Sequence, residues 1–159
     1  MKALVVYDSV YGNTEKIAQA IGGALGPQVQ VQVLRVGDAK PEHVVGLDLV
    51  VAGAPTHGSM PSPAMKAWLK ALASNSLHGI KVAAFDTRVA VSDIKPAIAA
   101  FFVKLFGYAA PAIANSLTKH GGTLVIPAEG FLVKDTQGPP KEGEIERAEA
   151  WARQIMACM

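Results

Sequence analysis

Three short stretches carry the residue types that could do chemistry. The first is Ser9-Val10-Tyr11-Gly12-Asn13-Thr14, which follows a β-rich apolar run and opens a helical pattern. Hydroxyls, a phenol, an amide and a glycine placed there can wrap a phosphate with backbone N–H groups at a helix N-terminus. Gly12 permits a turn that a side chain would oppose, and Asn13 suits the N-cap. The stretch contains no Lys or Arg and matches neither GxxxxGK(S/T) nor GxGxxG, which sets aside a P-loop and a dinucleotide turn. The second stretch runs from Ala54 to Pro61. Pro55 and Gly58 are turn residues, Thr56 adds a hydroxyl, and the His57 ring can stack or take a proton. The third is Phe85-Asp86-Thr87-Arg88-Val89, with a carboxylate, a hydroxyl and a guanidinium in sequence.

These stretches fall where strands end. Strands are predicted over residues 2–7, 29–36, 47–53 and 81–85, and a fifth begins at 123–126, with 130–134 continuing or flanking it. Helices are predicted over 14–25, 62–73, 93–106, 109–120 and 142–157, from apolar spacing and from the breakers Gly26-Pro27 and Gly107. The strands are short and Val-rich, as buried parallel strands are. Their alternation with helices implies right-handed βαβ units with helices on both faces. The expected fold is a single α/β domain over 1–159, a three-layer, doubly wound, five-stranded parallel sheet. Such sheets bind ligands beyond the strand carboxyl ends, at the switch point, where all three stretches would meet.

Composition narrows the function. The chain has 159 residues and is half hydrophobic, enough for one core. Its single cysteine, Cys158, allows no internal disulfide, thiolate metal site or iron–sulfur cluster. His43, His78 and His120 stand apart, and no metal site is assigned. The net charge is +2, with basic residues scattered, so no nucleic-acid footprint is read. No signal peptide is read at the N-terminus, and no apolar run is read as long and charge-free enough to span a membrane. A cytoplasmic location and no stable membrane insertion are expected.

Ser9-Val10-Tyr11-Gly12-Asn13-Thr14 resembles the phosphate loop of the flavodoxin family, T/S-x-T-G-x-T, with Tyr11 at the usual central Thr. Gly53-Ala54-Pro55-Thr56-His57-Gly58 is similar to the family's second loop, with His57 where a Trp or Tyr often stacks. The resemblance implies sheet order 2-1-3-4-5 and FMN as the cofactor. It assigns the phosphate to residues 9–14, one ring face to Pro55, Thr56, His57 and Gly58, and the pyrimidine edge to Asp86, Thr87 and Arg88. The third loop lacks the family's acidic, Gly-rich and aromatic pattern. Arg88 beside the ring would favour the anionic reduced flavin, because an opposite charge stabilises the charged form.

The resemblance implies an electron carrier that passes electrons between redox partner proteins. A flavodoxin-like NAD(P)H:quinone oxidoreductase is the alternative, and a flavin-free interaction module on the same fold is a third. Phe101, Phe102, Val103, Leu105 and Phe106 make residues 93–106 densely apolar. The first expectation for this segment is a helix packed on the core. A lid or homodimer surface is the second, and a membrane-surface helix the third.

Overall fold

The computed structural model describes residues 1–159. Its elements, in chain order, are β1 (Lys2–Tyr7), α1 (Asn13–Ala24), β2 (Gln30–Arg35), β3 (Leu49–His57), β4 (Met60–Pro61), α2 (Pro63–Ala71), β5 (Lys81–Val89), α3 (Ala97–Phe106), α4 (Ala109–Lys119), β6 (Thr123–Leu124), β7 (Glu129–Val133) and α5 (Glu144–Ala157). The main sheet is parallel, in the order β2-β1-β3-β5, with β6 and β7 both pairing with the far edge of β5. The last two are one expected fifth strand broken between Leu124 and Glu129. The order 2-1-3-4-5 is therefore present, with β4 a short antiparallel addition to β3.

Two apolar cores lie on the two faces of the sheet. One joins Leu4, Val6, Val50 and Val82 to Met65, Trp68 and Leu72 of the α2 region and to Ile113 and Leu117 of α4. The other joins Val5, Val51 and Phe85 to Ile17 and Ile21 of α1 and to Trp151 and Ile155 of α5. Alternate residues of each central strand feed opposite layers, as a pleated strand with both faces covered requires. Phe85, Phe131 and Trp151 meet edge to face at centroid distances of 6.0–6.3 Å. Gly53 gives the Phe85 ring its space, because a Cβ on Gly53 would overlap that ring.

Strands β3 and β5 run four residues past their expected ends. The extension of β3 is a hairpin, with Thr56 opposite Pro61 and His57 opposite Met60. Gly58 and Ser59 turn it, both at positive φ (51° and 67°), as a two-residue hairpin with right-handed twist demands. The extension of β5 is fastened by β7, which pairs with Phe85–Val89.

The 93–106 segment departs from its first expectation. No residue of α3 is buried, so this helix does not pack on either core. Residues 97–119 together are long and apolar enough to cross a membrane by composition, contrary to the reading that no run qualifies. In the fold they are two helices parted at Gly107, and α4 buries Ala109, Ala110, Ile113, Ala114 and Leu117.

Strand β7 is clipped to α5 by a charged cluster. Glu144 accepts from the Leu132 N–H at 2.6 Å and from Arg147 at 2.7 and 3.0 Å. Arg147 also reaches Glu129 at 3.1 Å, bonds the Gly130 carbonyl and lies over the Phe131 ring. Burial by itself would raise the Glu144 carboxyl, but the Arg147 and Leu132 hydrogen bonds outweigh it and hold the group below the ordinary range. A depressed carboxylate adds stability that is present above its unfolded value and lost as pH falls through the folded one. Glu144→Gln is expected to lower the unfolding free energy at neutral pH by about 1–3 kcal/mol and to flatten its fall on the acid side, measured by urea unfolding over a pH series. Gly53→Ala is expected to cost about 1–3 kcal/mol by overpacking against Phe85, read from the same urea curves.

Candidate functional site

The loop after β1 and the carboxyl ends of β3, β5 and β7 converge on one cavity of about 320 Å³ at the carboxyl edge of the sheet. Because β1 sits between β2 and β3, the chain leaves β1 in one direction and later returns on the other side, so the cavity lies at the switch point. Its lining includes Ser9, Val10, Tyr11, Asn13, Thr14, Pro55, Thr56, His57, Gly58, Thr87 and Arg88. Gly12 and Asp86 do not line it; both act from behind.

Gly12 stands at the N-cap of α1 with φ of 85°, a left-handed turn that favours glycine. The Ser9 hydroxyl accepts the Gly12 N–H at 3.0 Å, and Asp8 accepts the Ser9 N–H at 2.9 Å. These two bonds shape the loop from within. The N–H groups of Val10, Tyr11, Asn13 and Thr14 have no acceptor in the protein. They stand at a helix N-terminus where the dipole favours an anion. Asn13 does not cap α1. It is the first helical residue, and its side chain lies where Gly138 leaves room for it.

Asp86 is fully buried and holds two elements. Arg88 donates to both of its oxygens, at 2.6 and 2.7 Å, and the Ala110 N–H donates at 2.7 Å. Thr56 accepts the neighbouring Ala109 N–H at 3.0 Å. Residues from β3 and β5 thus cap α4, a tertiary substitute for a local N-cap. Burial pushes the Asp86 carboxyl up, and the Arg88 fork and the Ala110 N–H pull against it. The Arg88 guanidinium lies 3.8 Å from the centre of the Tyr108 ring, and Gly130 leaves the space that it fills. Arg88 therefore lines the cavity as half of an ion pair, and the charge it presents there is largely offset by Asp86. Thr87 bonds Thr14 hydroxyl to hydroxyl at 2.8 Å, joining the first loop to the third.

Several contributors lie outside the three sequence stretches. Arg35, the last residue of β2, donates to the Ser9 carbonyl at 2.6 Å and stands 4.0 Å from Asp8. Val133 and Thr136, at and beyond the end of β7, complete the cavity wall with Val89. Every parallel strand ends at this edge, so the signal was positional: the ends of the second and fifth strands belonged with the other three.

An α/β/α sheet with a helix N-terminus and strand ends gathered around a switch-point cavity defines a doubly wound α/β fold. The sequence pattern of the Flavodoxin domain matches residues 4–120, and the chain belongs to that family. No curated protein matches the chain by sequence. Among solved structures, flavodoxin 1 of Bacillus cereus superposes with a TM-score of 0.78 at 16% identity, covering 100% of this chain and 99% of that one. A flavodoxin from the Archaea superposes at 0.75 with 23% identity, covering 99% and 97%. Megasphaera elsdenii flavodoxin superposes at 0.70 with 20% identity, covering 98% of each. At these identities the superpositions establish the fold.

Asp86→Ala would leave Arg88 unpaired and the α4 N-terminus uncapped. The expected loss is about 3–5 kcal/mol, as for breaking a buried ion pair, measured by urea unfolding. Arg35→Ala, at an exposed side chain, should stay within about 1 kcal/mol of the wild type in the same assay.

Proposed function

We propose that the chain binds FMN in this cavity and serves as a cytoplasmic electron carrier between redox proteins. The observation that carries the reading is the set of four unpartnered N–H groups at the α1 N-terminus, opening on the same cavity as the Pro55–Gly58 and Thr87–Val89 walls. The donor chemistry suits a phosphate monoester, since backbone N–H groups at a helix N-terminus supply donors without a lysine. The volume falls in the range of small-molecule sites.

When bound, FMN supplies one- and two-electron redox chemistry. The chain's own residues bind, orient and shield. Residues 9–14 would hold the phosphate. Pro55, Thr56, His57 and Gly58 would stand against one ring face, with Thr56 stiffened by its bond to Ala109. Thr87 and Arg88 would face the pyrimidine edge. No aromatic residue lines the Val89 and Val133 side of the cavity, so this wall is thinner than the family pattern implies. Arg88 is held by Asp86, so its pull on a reduced, anionic ring would be weaker than that of a free guanidinium.

The test is the visible absorbance of the purified protein before and after adding FMN and removing the excess. Retained flavin with vibronic fine structure is expected, with affinity falling at least tenfold in Gly12→Val, whose side chain opposes the left-handed turn. A flavin-free product even after addition would overturn the reading and leave the interaction module. With flavin retained, steady NADPH oxidation on adding a quinone would favour the reductase over the carrier.

A further inference from the structure

Helix α3 is amphipathic in the inverted sense. Ile98, Phe101, Phe102, Leu105 and Phe106 follow i, i+3, i+4, i+7, i+8 spacing, the stripe that normally faces a core. Here all five face solvent, 49–65% exposed. The small residues Ala99, Ala100 and Val103 are the half-buried ones. Phe102 stacks on Phe106 at 6.0 Å and Phe101 meets Phe102 edge to face, so the stripe is one continuous surface. The segment is held at its base on both sides. Asp93 pairs with Lys141 at 2.6 Å before α3, and the Tyr108 hydroxyl bonds the Val89 carbonyl at 3.3 Å after it.

We propose that this stripe is the interface of a two-fold homodimer, α3 packing against α3 of a second copy. The exposed area is enough for that occupant. At ~200 Å² for a large apolar residue, the stripe exposes roughly 600 Å² per copy. A symmetric pair would bury up to about 1,200 Å², past the ~1,000 Å² that a specific interface needs. A helical stripe set against its own copy is self-complementary by ridge-and-groove packing. Like-charge repulsion is small, because the net charge is +2 and Lys104 is the one charged residue of α3, off the stripe. A lipid surface fits less well, since surface helices carry many Lys and Arg on the polar face. The area sits at the low end of stable interfaces, so dimerisation is concentration-dependent. It rests on α3 alone and is independent of flavin binding.

Sedimentation equilibrium over a series from low micromolar to near-millimolar protein tests it, with and without FMN. The wild type is expected to pass from monomer to dimer across the series in both conditions. Leu105→Glu, at an exposed position and with its fold checked by circular dichroism, is expected to weaken association at least tenfold, and Leu105→Met to retain it. A wild type that stays monomeric throughout would overturn the proposal. So would a dimer that Leu105→Glu leaves unchanged, or a monomer that co-floats with anionic vesicles through the same stripe.

Discussion

A buried carboxylate organises the carboxyl edge of this sheet. Asp86 sits at the register where β5 meets Ala54 of β3 on one side and Gly130 of β7 on the other. From there it grips the Arg88 fork and the first turn of α4 together. Desolvating a carboxylate is costly, and only a full set of donors offsets that cost. The consequence is positional. The end of β5, the N-terminus of α4, Tyr108 and the glycine of β7 that admits Arg88 can take one arrangement that satisfies the charge. The third wall of the cavity is part of that arrangement.

The other walls depend on this one through hydrogen bonds rather than charge. The Thr14–Thr87 bond ties the α1 loop to β5, and Thr56 ties the hairpin to α4. Arg35 steadies the first loop from β2 by its carbonyl. The cavity is thereby framed by side chains that spend their polar groups on the scaffold, while backbone N–H groups are left for a ligand. A turn built this way can offer donors to an anion without a lysine, because the helix N-terminus and the left-handed glycine leave backbone N–H groups free.

Helix α3 obeys the opposite logic. Its spacing is that of a core helix, yet the sheet has no uncovered face to offer it: α2 and α4 cover one side, α1 and α5 the other. With both layers complete, an additional apolar helix can only stand outside them. It is anchored beside the cavity and presents its largest side chains outward.

Periodicity and punctuation by themselves determined the alternation of strands and helices and the parallel sheet, since each rests on local patterns that no distant contact needs to complete; the strand order that brings residues 9–14, 55–58 and 87–88 to one switch point came from the family resemblance. The matching of Lys2–Tyr7 to β1 is of the local kind. Other features were decided only by tertiary structure. Whether β3 and β5 stop at Gly53 and Phe85 or run on depends on partners, Met60–Pro61 and β7, that lie far away in sequence or beyond a turn. Arg88 reads as a free cation beside a ligand until Asp86, Tyr108 and Gly130 surround it. The direction in which α3 turns its apolar stripe was likewise undecidable from spacing, because a helical period defines a stripe and only the occupancy of the neighbouring layers says which way it faces.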